Sequence, residues 1–167
     1  MNRYLYLSLI YIFIFFPLSV HSEEIKIKVN VTGLNKELKE NIELNLSIEQ
    51  LKKDKKITVQ KIKSAHRRAK KEIIQALQPF GYYLPKISSK LVEQNNIFHA
   101  SYQIDKGPAT LITQINVKVE GEGELEPELK SVVHGHELKV GERLIHSAYK
   151  TLKRNLYNVA FSEGYLD

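Results

Sequence analysis

Residues 58–85 read TVQKIKSAHRRAKKEIIQALQPFGYYLP, and this stretch decides the fold. Ile62, Ala65, Ala69, Ile73, Ala76, Leu77 and Phe80 recur on one face at about 100° per residue. Lys61, Lys63, Arg67, Arg68, Lys70 and Lys71 all fall outside that arc. Thr58 is a suitable N-cap, and Pro79-Phe80-Gly81 supplies a stop in which glycine can take the left-handed cap conformation. The spacing predicts an amphipathic helix whose small Ala65 and Ala69 allow close approach to a sheet or to another helix.

On the N-terminal side, Ile25, Ile27, Val29 and Val31 alternate with Lys26, Lys28 and Asn30, the period of a strand with one buried face. That strand stops at Gly33. Asn35 can cap a first helix in which Leu38, Ile42 and Leu46 recur every fourth residue, and a lysine-rich connection, Lys52 to Lys56, leads to the second. On the C-terminal side, Ile87, Ser89 and Leu91 alternate, Glu93-Gln94-Asn95-Asn96 forms a polar turn, and Phe98, Ala100, Tyr102 and Ile104 alternate on the return, which reads as a hairpin. Lys106-Gly107-Pro108 punctuates the chain. Residues 25–106 thus read strand, helix, helix, strand, strand: an α+β domain with two helices on one face of a three-stranded sheet.

The pattern then begins again. Leu111, Thr113, Ile115, Val117 and Val119 alternate and stop at Gly121, as the earlier strand stops at Gly33. Pro127 suits the first turn of a short helix through Leu129, Val132 and Val133, ending at His134-Gly135. A longer helix from about Ser147 carries Tyr149, Leu152, Leu156 and Ala160 as its stripe. It closes with Gly164-Tyr165, an echo of Gly81-Tyr82-Tyr83. Gly33 to Gly121 is 88 positions and Gly81 to Gly164 is 83, so a repeat of about 85 residues is expected. The second copy stops where its hairpin should start and is expected to lack two of three strands.

Ahead of the first strand, Arg3, the apolar run Leu5–Phe16 and Val20-His21-Ser22 have the order of a secretory signal peptide cut after Ser22. The alternative is an uncleaved anchor, but the 12-residue apolar core is short of the roughly 20 residues that span a bilayer. The expected divisions are 1–22 for the leader, 23–107 for the first domain and 108–167 for the incomplete second. The chain has no cysteine, which excludes a disulfide framework, a thiol nucleophile and cysteine-ligated metal. Of the formal charge of +6, residues 52–72 hold a local +8, from ten Lys or Arg and two acids. The basicity belongs to one segment.

The order of elements, given twice behind a leader, resembles the polypeptide-transport-associated (POTRA) domains of the Omp85 family of outer-membrane assembly proteins, and within it the TamA type. The strings that carry the resemblance run through the chain after the leader. They are Val31-Thr32-Gly33-Leu34 with Leu38 and Asn41, residues 76–83 (ALQPFGYY) with Pro85, and residues 102–108 (YQIDKGP). Val119-Glu120-Gly121-Glu122-Gly123 and Tyr149, Leu152-Lys153 and Gly164-Tyr165 complete them. The resemblance implies a periplasmic, non-catalytic module beside an outer-membrane barrel. Its implied partners are client outer-membrane or secreted polypeptides and a TamB-like inner-membrane protein. Such proteins carry a third domain and a barrel, so this chain is expected to be a truncated or split product, or a fragment.

Recognition by such a module is expected at a strand edge, where unpaired backbone groups accept an extended polypeptide. By the resemblance that edge is Lys86, Ile87, Ser88, Ser89, Lys90, Leu91 and Val92, with Ile87 and Leu91 inward. The basic face, Lys63, Arg67, Arg68, Lys70 and Lys71, suits anionic lipid or an acidic partner; it is also what a solvated helix face looks like. Nucleic acid is not expected of an exported chain without interleaved aromatics. Tyr82 and Tyr83 are expected to pack back across the sheet with hydroxyls reaching water or backbone, or else to dock successive domains. Gly81, Pro85, Gly107, Pro108, Gly164 and Tyr165 complete that candidate junction set. His134, His136 and His146 could in principle supply three imidazoles, but no metal or other cofactor is expected. Catalysis is not expected either: Glu122, Glu124 and Glu126 lie in a polar loop without a pocket to raise a pKa.

Overall fold

The structure, a computed structural model, describes residues 24–165. The expected leader, residues 1–22, lies outside the described residues. Strand β1 (Lys26–Thr32) is followed by α1 (Lys36–Asn45), a short α2 (Ser47–Gln50) and α3 (Val59–Leu77). The hairpin β2 (Lys86–Gln94) and β3 (Ile97–Asp105) completes a mixed sheet of order β1-β3-β2, with β1 parallel and β2 antiparallel to β3. The fold is α+β, with helices and a three-stranded mixed sheet.

Local chemistry sets most boundaries. Asn35 Oδ1 accepts from the Leu38 N–H at 3.1 Å and Thr58 Oγ1 from the Lys61 N–H at 3.3 Å, so both long helices of this unit start at side-chain caps. Asn95 and Asn96 both take positive φ, 49° and 60°, the backbone of a two-residue hairpin turn whose twist matches the strands. The turn is therefore tighter than the four polar residues suggest, and β2 runs on through Glu93 and Gln94.

One core lies between the sheet and the helices. Ile27 and Val31 of β1, Leu38 and Ile42 of α1, Ile48 of α2, and Ile62, Ala65, Ala69, Ile73, Ala76 and Leu77 of α3 are buried against Phe98, Ala100, Tyr102 and Ile104 of β3. The alanines let α3 sit close on the sheet. The Lys52–Lys56 connection is more ordered than its composition suggests. It is preceded by α2, and Leu51–Lys53 forms a 3-10 turn. Glu72 of α3 accepts from the Ser47 N–H at 2.9 Å and its hydroxyl at 2.8 Å, which holds the start of α2 in place.

Residues 109–165 contain α4 (Pro127–His134) and α5 (His146–Ser162). Two expectations fail here. The strand Leu111–Val119 does not form: only an isolated antiparallel bridge joins Leu111 to Arg143. No strand lies beside residues 113–120 among the described residues, and extended backbone without a neighbour has no ladder to join. Tyr149 is also not an inward residue of the last helix, being 54% exposed; Leu152 is buried and Leu156 half-buried. Only Leu129 and Leu152 of this part are buried hydrophobic residues, so the second unit has little core of its own.

Candidate strand edge and inter-unit junction

Among the described residues β2 is an edge of the sheet, hydrogen-bonded to β3 alone. Its burial alternates: Ile87, Ser89 and Leu91 are half-buried toward the helices, with Ile87 and Leu91 packed on the core, whereas Lys86, Ser88, Lys90 and Val92 are exposed. The outer face of the sheet is polar, since Lys90 lies opposite Ser101, Ser88 opposite Gln103 and Lys86 opposite Asp105. A partner therefore finds no apolar platform on that face, and the backbone of an edge strand is the group left to recognise. Half of an edge strand's N–H and C=O groups point away from its neighbour.

The basic helix face is not uniform. Arg68 Nε lies 3.6 Å from Glu72, and its Nη groups donate to Ser64 Oγ and Ser47 Oγ, so this guanidinium is internally occupied. Lys61 pairs with Asp54 at 2.7 Å. That hydrogen bond, with one from the Lys56 backbone, holds the Asp54 carboxyl below its ordinary value. Lys63, Arg67, Lys70 and Lys71 are exposed and make no salt bridge among the described residues.

The third cluster joins the two units. A 3-10 turn, Gln78–Phe80, ends α3, and Gly81 follows at φ 79°, where a Cβ would lie 2.6 Å from the Leu144 carbonyl oxygen. Glycine is required both by that conformation and by the close approach. Its carbonyl accepts from the Thr110 N–H at 2.8 Å, and the Thr110 carbonyl from the Leu144 N–H at 2.9 Å, so three segments are stitched together by backbone. Ile112 exchanges two further backbone bonds with residues 141 and 142.

Tyr82 is 6% exposed, and its Oη accepts from Lys106 Nζ at 3.0 Å and Arg143 Nη1 at 2.9 Å. Both cations also sit over its ring, at 4.7 and 5.5 Å from the centroid. The Lys106 hydrogen bond, then that of Arg143, pulls the phenol below its ordinary pKa against the opposing effect of burial. The Tyr83 hydroxyl is hydrogen-bonded to His146 Nε2. The expected backbone partners are not what these hydroxyls meet: they reach the side chains of Lys106, Arg143 and His146. Pro85 is half-buried and Pro108 exposed, while the Gly107 N–H donates to Asp105 Oδ1 at 3.0 Å. Gly164 and Tyr165 lie elsewhere, near Gly123.

The histidines do not converge: His146 faces Tyr83, His134 Nδ1 is bonded to the Lys130 carbonyl, and His136 Nδ1 is buried without a hydrogen-bond partner among the described residues. Among the described residues no group of three His, Cys, Asp or Glu could hold a metal, and no helix is long and apolar enough to cross a membrane. Arg143, Lys106 and Thr110 escape sequence reasoning because no local period marks them; they matter only through residues distant in the chain.

No curated protein matches this sequence. The chain is similar to a solved structure described as POTRA1-2 of the periplasmic domain of Omp85 from Anabaena, at 14% identity over 84% of this chain and 79% of that one, with a TM-score of 0.37. A family model, POTRA domain TamA domain 1, matches residues 28–106, which begin within β1 and end just past β3. The matched stretch is 79 of the chain's 167 residues and holds nearly all of the three-stranded sheet.

Proposed function

We propose that the chain is a periplasmic interaction and scaffold module of an outer-membrane protein assembly and translocation factor of the TamA type, with no turnover of its own. In this reading it holds a client or partner polypeptide by strand addition along β2. The observation that carries it is the edge position of β2 beside a polar outer sheet face. β2 is preferred over β1 because it is the longer edge, 9 residues against 7, and exposes one apolar residue, Val92. The exposed residues of β1, Lys26, Lys28, Asn30 and Thr32, are all polar. Client outer-membrane or secreted polypeptides are the first partners to test, and a TamB-like inner-membrane protein the second.

The same reading divides the chain near Gly107-Pro108 into residues 23–107 and a second copy of the repeat in residues 108–167. Gly33 and Gly121 share left-handed φ values, 92° and 81°, as do Gly81 and Gly164, 79° and 78°. Residues 115–120 alternate half-buried and exposed, as a strand would. Hydrogen exchange on the full chain tests the edge: an unfolded outer-membrane barrel polypeptide should slow exchange in 86–94 and leave 26–32 unchanged. Protection confined to the helices would overturn the assignment.

A second reading rests on the four α3 cations that make no salt bridge among the described residues, Lys63, Arg67, Lys70 and Lys71: an exported protein that attaches to anionic lipid or an acidic polymer. Charge reversal at Lys63, Arg67, Lys70 and Lys71 separates the two. Strand addition predicts a modest loss of binding, whereas surface attachment predicts near-complete loss with steep salt dependence.

A further inference from the structure

Two positive charges share one neutral oxygen where the units meet. Lys106 follows β3, Arg143 precedes α5, and both donate to Tyr82 Oη. Their donor nitrogens are therefore no more than 5.9 Å apart, the sum of the two hydrogen-bond lengths. A phenol offers lone pairs but no charge, and neither cation forms a salt bridge among the described residues. The adjacent acids are engaged elsewhere: Asp105 accepts from the Gly107 N–H, and Glu142 lies 3.9 Å from Lys139. Ammonium and guanidinium groups keep further N–H donors after giving one to Tyr82. Arg143 is exposed and Lys106 half-buried, so both can be reached from solvent.

We infer that Lys106 and Arg143 form a binding site for a small oxyanion, a phosphate or a carboxylate, that bridges the first unit to the second. The spacing suits two oxygens of one anion, each accepting from one cation, and the planar Arg143 fork favours oxyanions over halide. Occupancy would replace repulsion between the cations with a charge-assisted bridge and narrow the range of inter-unit orientations. The site is independent of β2, so its failure would leave strand addition untouched.

The test is titration of the full chain with inorganic phosphate at constant ionic strength, with chloride as the reference anion, followed by amide NMR shifts. We expect saturable shifts centred on residues 81–83, 106–110 and 141–146. Lys106→Gln or Arg143→Gln should weaken binding at least severalfold, and Arg143→Lys should lose less. Because the chain has no cysteine, paired spin labels at Ser88→Cys and Lys150→Cys can report orientation, and phosphate should sharpen their distance distribution. A parallel arm with anionic vesicles distinguishes a lipid headgroup from the free ion as the source. Absence of saturable shifts, shifts confined to α3, or an unchanged response in both glutamine variants would each overturn the site. The wild-type shift map decides even where a variant fails to fold.

Discussion

His66 and Tyr102 are where a single proton matters most to the core. Tyr102 is 1% exposed, and burial, then the nearby charges of Glu72 and Glu49, hold its phenol protonated well beyond the ordinary range. It can therefore donate to His66 Nδ1, 3.0 Å away, only while that imidazole is neutral. Burial, and then the charge of Lys70, lower the His66 pKa from its ordinary 6.5. As the pH falls below 6.5, the unfolded chain binds a proton that the folded chain still refuses. Stability is complete above that value and declines beneath it. The urea midpoint should drop between about pH 7.5 and about pH 5.5, and His66→Gln should flatten the drop; a slope unchanged in the variant would refute this. Gly81 is the other decisive residue. Gly81→Ala combines a left-handed φ with a carbonyl 2.6 Å from the new methyl, and should cost about 1–3 kcal/mol, read as a lower melting temperature.

Among the elements, α3 carries the fold and its two sides should respond differently to substitution. Ala69 is fully buried beneath the sheet, so Ala69→Leu overpacks that contact and should cost about 1–3 kcal/mol in chemical denaturation. Lys70→Ala, one residue on and exposed, should change stability by no more than about 0.5 kcal/mol. α3 was legible because its period and its caps are local: the face from Ile62 to Leu77 and the Thr58 cap both follow from neighbours within a few residues. α2 was not legible. Four residues carry no usable period, and what organises them is Glu72, 25 positions away from Ser47.

For the whole molecule, stability should be uneven. Residues 25–106 enclose a continuous core, whereas residues 109–165 bury only Leu129 and Leu152 among their hydrophobic side chains and expose Tyr149, Tyr157 and Phe161. Limited proteolysis should therefore cut first within 113–120, where extended backbone has no ladder, and leave a resistant fragment that retains residues 25–106. Mass spectrometry of the digest checks this; survival of the chain through α5 would contradict it.

The sequence by itself determined the two long helices and three strands of the first unit and which side of each is apolar, though not α2 or the last two residues of β2, because periodicity and capping act over a few residues. Only the tertiary structure decided that 111–119 is no strand, that Arg68 also reaches Ser47, 21 positions away, and that Tyr82 and Tyr83 meet Arg143 and His146. Those outcomes depend on a strand neighbour or a hydrogen-bonding partner brought from elsewhere in the chain, 61 and 63 positions away for the two tyrosines, and no local pattern encodes such a meeting.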